Sequence, residues 1–403
     1  MDTSHEVEYR PVSVKEVLAE MKDTAELLID LSYSAVLFGS EAVAEEVLTL
    51  EERMDVLQLQ ARMSLLMAAR TTDDAEQLAP VLGVVGAAEK ISDAAGDVAK
   101  VVLEEIGLPD AMRAALPEAV EPVVRATVEA ESRFADRSLG DLNLETETGV
   151  RVIAIRRRGK WLLNPNVDTV LEAEDVILMR GFEENLGPVY ETVTGEPYET
   201  PEPVEPGIAD LERAVDAIVL MKNMSELAVD LAYGAVLYDS TDLAEEVAAL
   251  EAEVDQLESR LEAWTLQAAA RVDDPVDLRG LVHLAGSTEV ISDAALEISE
   301  GVLRGLGTHP VVAEAVSESD EVIVRRTVAE GSTLDGGTLG ETMVRTETGM
   351  RVIGVRRPRG SPSVEDDEWE IQPGPETELR AGDVLLAKGT RAGAERLEEL
   401  VGS

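Results

Sequence analysis

The sequence predicts an α+β chain built as a tandem repeat, in which a three-helix bundle followed by a small α+β domain occurs twice in 403 residues. Three observations predict it. The segment Thr146-Glu147-Thr148-Gly149-Val150-Arg151-Val152-Ile153 returns 200 residues later as Thr346-Glu347-Thr348-Gly349-Met350-Arg351-Val352-Ile353, and Met21-Lys22, Asp30-Leu31 and Ile91-Ser92-Asp93-Ala94-Ala95 recur in the same register. Apolar residues in the first part of each unit fall at helical spacing. The pattern then changes to short β-rich runs. No helical array or propeller has so long a period. Two compound units therefore read as a dimer written into one chain, with function expected between the copies.

The first helix is predicted by Val14, Val17, Leu18, Met21, Leu28 and Leu31, and the second by Val43, Val47, Leu50, Met54, Leu57 and Ala61. A third run carries Leu78, Val81, Leu82, Val85, Ala88, Ala99, Val102 and Ile106, and Gly107 with Pro109 closes it. Breaks at Gly39-Ser40 and Thr71 to Asp74 leave long helices joined by short turns, as antiparallel bundles have. Beyond Pro109 the sequence predicts a short helix around Ala111 to Val120, then strands at Val123–Val128, Val150–Ile155, Trp161–Leu163 and Val176–Met179. The expected boundaries are 1–108 and 109–190 for the first copy, a Pro/Glu linker over 191–207, then 208–307 and 308–403. The second copy inserts Ser361 to Glu368 before Trp369.

Lys+Arg 35 against Asp+Glu 82 gives a net charge of −47, which repels nucleic acid and anionic membrane surfaces. Only seven of the basic residues are lysine and the acids run through both copies, the surface expected of a halophilic archaeon living in molar salt. Zero cysteines exclude disulfides and thiolate chemistry. The expectation is a cytoplasmic protein without direct membrane insertion, because no apolar run reaches the length of a span. Catalysis is not expected. His5, His283 and His309 are unrelated by the repeat, and no nucleophile elbow or phosphate loop occurs.

The small domain resembles the TrkA-C, or RCK-C, family of regulators of potassium conductance. The stations are Val124 to Val128, Ser132, Leu139-Gly140, Gly149, Val152 to Arg156, Pro165, Asp175 with Val176 to Leu178, and Gly181. They return as Val324 to Val328, Ser332, Leu339-Gly340, Gly349, Val352 to Arg356, Pro373, Gly382-Asp383 and Gly389. One station departs, since Glu174 stands where that family has Gly before Asp. The bundle is similar to PhoU, on Leu50 to Asp55 and Glu89 to Asp93. The fold implied is two copies of a PhoU-like bundle followed by an RCK-C domain. The function implied is a regulatory subunit of cation transport whose leading partner is a membrane potassium channel or cation transporter. The nucleotide-binding half that usually precedes an RCK-C domain is replaced by the bundle.

Two candidate sites follow. Glu51 and Asp55 lie one turn apart, as do Glu89, Asp93 and Asp97, and they recur as Glu251, Asp255, Glu289, Asp293 and Glu297. Two such helices side by side offer oxygens to a divalent or ferric ion. In a chain where a fifth of residues are acidic, a solvated face accounts for the same pattern. The resemblance also implies that the RCK-C domains pair and receive a small ligand, a cyclic dinucleotide or a cation, at their seam. Arg156, Asn164 and Pro165 with Arg356, Gln372 and Pro373 are its candidate lining, the arginines suited to phosphate. The alternative function is a PhoU-like metal-binding adaptor in phosphate-transport signalling. Assembly is expected as an intrachain pseudo-dimer, with a homodimer of chains as a further state.

Overall fold

The computed structural model describes residues 14–109, 123–144, 148–163, 165–181, 183–198, 209–272, 274–305, 321–357, 368–371 and 373–402. The expected helix at 111–120, His5, His309, Asn164, Gln372 and most of the 361–368 insertion lie outside them.

The first unit begins with three long helices, α1 (Val14–Phe38), α2 (Glu41–Ala68) and α3 (Thr72–Leu103). Its small domain holds β1 (Val123–Thr127), β2 (Arg137–Ser138), α4 (Leu139–Leu142), β3 (Arg151–Arg157), β4 (Lys160–Leu163), β5 (Val170–Leu171), β6 (Val176–Arg180) and α5 (Glu183–Thr194). The second unit repeats this with α6 (Ala209–Tyr238), α7 (Thr241–Ala269), α8 (Arg279–Leu303), β7 (Glu321–Thr327), α9 (Val344–Thr348), β8 (Arg351–Arg357), β9 (Glu368–Ile371), β10 (Val384–Thr390) and α10 (Arg391–Val401). The α1–α2 turn is written in the sequence. Gly39 takes a left-handed φ of 56° and Ser40 caps α2 by accepting from the Val43 amide at 3.3 Å. Asp239 and Ser240 repeat the device. α5 extends to Thr194, so the segment expected as linker from 191 begins as helix.

Each small domain is a four-stranded antiparallel sheet, ordered β1-β6-β3-β4 in the first copy and β7-β10-β8-β9 in the second. Each has its own core, built on Val128, Phe134, Ile155 and Ile177 or on Val328, Leu334, Val355 and Leu385. Asp175 and Asp383, both almost fully buried, lock the turn into the last strand by accepting from Arg157 (2.8 and 2.6 Å) and Arg357 (3.1 and 3.1 Å).

The two bundles do not have separate interiors. α3 lies along α8, α1 meets α6, and one hydrophobic core runs through all six helices. One set of contacts across this seam is reciprocal, as a pseudo-twofold requires, and others belong to one side alone. Lys22 sits 5.9 Å from the centre of the Tyr233 ring and Lys222 lies 5.9 Å from that of Tyr33. Tyr33 bonds Thr288, and Lys90 pairs with Glu297. The amide of Gly280 donates to the carbonyl of Gly107 at 2.7 Å, and a Cβ at Gly280 would stand 2.6 Å from that oxygen, which leaves glycine as the residue that permits the approach.

Candidate functional site at the seam between the copies

A cavity of about 510 Å³ opens where the pseudo-twofold passes between α1, α6 and the two sheets. Its helical wall carries Lys22, Asp23, Glu26 and Asp30 from one copy and Lys222, Asn223, Glu226 and Asp230 from the other. Its sheet walls carry Arg151, Ile153, Leu163 and Arg180, matched by Arg351, Ile353, Ile371 and Lys388. Both copies therefore build it residue for residue. The helices supply charge here because Lys22, Glu26 and Asp30 are spaced by four, which puts them on one face one turn apart.

Most of this charge is internally matched. Lys22 pairs with Glu26 at 2.5 Å, Lys222 with Glu226, and Arg180 with Asp30. Burial pushes the Glu26 carboxyl up to about 7, against the pull of Lys22, and Asp230 of the other copy adds to the rise. Burial likewise pushes Asp30 up to about 6, opposed by Arg180 and reinforced by Glu226 across the seam. Asn223 Oδ1 is a buried acceptor with no hydrogen-bond partner among the described residues. Arg151 and Arg351 are exposed at the rim, one from each copy, and no described ion pair engages either. The site thus offers a self-compensated floor and two guanidinium groups related by the pseudo-twofold.

The residues expected to line a seam pocket sit elsewhere. Arg356 forks onto Glu246 through two 2.7 Å bonds, and Arg325 joins the same carboxylate at 2.7 Å. Arg156 and Arg125 converge on a single oxygen of Glu46, Arg125 at 3.3 Å, without the fork that Arg356 makes. Glu46 and Glu246 are nearly fully buried on α2 and α7, so these arginines brace each sheet against its own bundle and do not face the cavity. Pro165 and Pro373 are also absent from the cavity wall. The small domains form two separate sheets, each seated on the first helix of its own copy, as when the Val123 amide donates to Ser34 Oγ at 3.1 Å, and both sheets border the one cavity. The cavity-lining residues were present in the sequence as a signal. Lys22, Glu26 and Asp30 interrupt an apolar helix and recur unchanged at 222, 226 and 230.

The acidic patches form on the bundle sides. Carboxylate oxygens of Asp55, Glu89 and Asp93 come within 4.8 Å of one another, a hard-donor set that suits a divalent or ferric ion. Glu51 lies alongside over Gly96, its carboxyl raised by burial and by Asp93, Asp55 and Asp97 while Lys100 opposes. Asp97 itself pairs with Lys100 at 2.7 Å. In the second copy burial pushes Glu289 up to about 7, with Asp293, Glu258, Asp255 and Glu251 adding to the rise. Glu297 there turns to Lys90 of the first copy. His283 reaches a cleft of about 320 Å³ on the α3–α8 seam, beside Asp93 and Asp97.

Comparison with known proteins places two families on this architecture. The TrkA-C domain model matches residues 123–192 and 323–402, and the PhoU domain model matches 18–102 and 218–302. Among curated proteins, "Probable potassium channel protein 2" of Methanocaldococcus jannaschii is 29% identical over 140 residues, which cover 33% of this chain and 38% of that protein. Among solved structures, PhoU from Pseudomonas aeruginosa is 14% identical with a TM-score of 0.40, covering 72% of this chain and 96% of that one. The RCK_C domain dimer of S. agalactiae BusR in complex with c-di-AMP is 25% identical with a TM-score of 0.17, covering 19% and 99%. No helix among the described residues is long and apolar enough to cross a membrane.

Proposed function

From a chain that is a twofold tandem of PhoU and TrkA-C domains, we propose a non-enzymatic, cytoplasmic regulatory subunit of potassium or other cation transport. The single observation that carries the mechanism is the cavity walled equally by both copies. A ligand there touches α1, α6 and both sheets at once, so its binding energy depends on how the copies sit relative to one another. That dependence is what couples a ligand to a membrane transporter held by the same chain. Arg151 and Arg351 suit an anion with two acidic groups, which agrees with the cyclic dinucleotide implied by the TrkA-C resemblance. The similarity to a potassium channel protein supports the transported ion, across the 38% of that protein that the matched segment spans.

Titration calorimetry with c-di-AMP tests the seam. The expected result is one equivalent per chain, abolished in the Arg151→Glu, Arg351→Glu double variant. Two equal equivalents per chain, no binding, or binding retained in the double variant overturns it.

A second reading is favoured by the convergence of Asp55, Glu89 and Asp93. In it the chain is a metal-binding adaptor in phosphate-transport signalling, and the small domains serve assembly. Asp55, Glu89 and Asp93 would hold the ion, with Glu51 within reach. Divalent or ferric ions then raise the unfolding midpoint by mass action, and Asp93→Asn removes the shift. An unchanged midpoint across a metal panel at fixed ionic strength dismisses this reading.

A further inference from the structure

The two copies differ where their bundles touch, and the differences fit together. At repeat-equivalent positions α3 carries Pro80 and Val101 where α8 carries Gly280 and Gly301. Pro80 and Gly301 face each other, since a Cβ at Gly301 would stand 2.9 Å from Pro80 Cβ. At the other end of the seam Val101 Cγ1 lies 3.3 Å from where a Cβ at Gly280 would sit. Each projecting side chain is thus on α3 and each missing one on α8. The helices do not call for these residues on their own account: proline inside α3 forfeits an intrahelical hydrogen bond, and glycine within a helix is disfavoured relative to alanine. Across the seam they interlock.

We propose that these four residues are a one-way steric code, by which a copy-one unit accepts a copy-two unit and excludes a second copy-one unit. A pairing of two copy-one units in the same geometry sets Val101 in the place of Gly301, with its Cβ 2.9 Å from Pro80 Cβ, closer than packed side chains approach. It also sets Pro80 in the place of Gly280. There a Cβ meets the Gly107 carbonyl oxygen at 2.6 Å and Leu108 Cδ1 at 2.7 Å, and proline has no N–H to replace the bond that Gly280 donates to Gly107 at 2.7 Å. Both faults occur twice by symmetry. A pairing of two copy-two units sets Gly280 against Gly301 at both ends, which leaves unfilled the space that Pro80 and Val101 occupy, and it sets Val290 where Lys90 meets Glu297. The mixed pair is selected by fit on one side and by exclusion on the other. Each chain holds one unit of either kind, so the seam is satisfied inside the chain, and every seam cavity is walled by one Asp23 and one Asn223.

Exchanging the code within the full chain tests this, read by thermal unfolding and small-angle scattering at fixed ionic strength. Gly280→Pro with Gly301→Val puts projecting side chains on both helices; the midpoint falls by several degrees and the radius of gyration rises as the units part. Adding Pro80→Gly and Val101→Gly moves the gaps to α3 and recovers most of the midpoint and the wild-type radius. A cost that came only from proline and valine entering α8 is not recovered in this way, because two further glycines weaken α3. The selectivity is read directly on the folded chain cleaved at a protease site inserted between Pro203 and Pro206. After isotope-labelled and unlabelled cleaved chains are mixed, native mass spectrometry finds one fragment of each kind in every complex. No recovery in the quadruple variant, a double variant as stable and compact as wild type, or pairs of like copy-one fragments overturns the proposal.

Discussion

Glu174 shows what the family pattern means physically. The family has glycine before the buried aspartate, and in the second copy Gly382 holds φ +92°, a left-handed conformation that suits it. Glu174 holds φ +70° in the first copy and bears the steric cost of a Cβ there. Glu174→Gly is expected to raise stability by about 1 kcal/mol, read from the denaturant midpoint; a loss of stability would mean that this turn is not strained. Glu246 makes the opposite case. Its buried carboxylate receives Arg325 and Arg356 together, so Glu246→Ala strands two guanidinium groups beneath the second sheet. Because those arginines keep some contact with water, the expected cost is about 2 kcal/mol in chemical denaturation. The sequence could identify Arg156 and Arg356 as set apart by the repeat, but not their partners. A guanidinium bonding a carboxylate 110 positions away leaves no mark in local spacing.

Among the elements, α1 carries the pH response of the seam, with charges of α6 facing it. Glu26 and Asp30 titrate near 7 and 6 in the folded chain, above their ordinary range, and they face Lys22, Arg180, Glu226 and Asp230. Between about pH 4 and 7 the folded state therefore holds more protons than the unfolded one. Their contribution is fully present below pH 4 and is lost as pH rises through 6 and 7. Thermal unfolding at constant ionic strength is expected to show the midpoint declining over that interval, with Glu26→Gln and Asp30→Asn together flattening the decline. A midpoint that climbs from pH 5 to 8, or that ignores both substitutions, contradicts this assignment. The helices themselves were legible, since Gly39-Ser40 and Asp239-Ser240 announce the breaks and the apolar spacing gives the faces. The α5 helix was hidden by its composition, because Gly187, Pro188 and Gly195 resemble punctuation, whereas Leu186, Val189 and Val193 in fact seal the small-domain core.

At the scale of the molecule, the repeat foretold a pseudo-dimer, and the shared six-helix core with its reciprocal Lys–Tyr contacts is how that dimer is joined. What the repeat could not foretell was which surfaces meet. Apolar faces lie on all six helices, and the choice of α3 against α8 rests on features such as Gly280 against Gly107 that only the assembled geometry reveals. Gly280→Ala drives a methyl group against a backbone oxygen and is expected to loosen the seam, lowering the thermal midpoint by several degrees; an unchanged midpoint would show that the seam tolerates repacking. The seam cavity has meaning only if a transporter reads the relation of the two copies. Affinity capture of the tagged chain from membranes solubilised in concentrated potassium chloride, with mass spectrometry of what co-purifies, tests that most directly. Recovery of a potassium channel or cation transporter is the predicted result; recovery of phosphate-transport components in its place would contradict it.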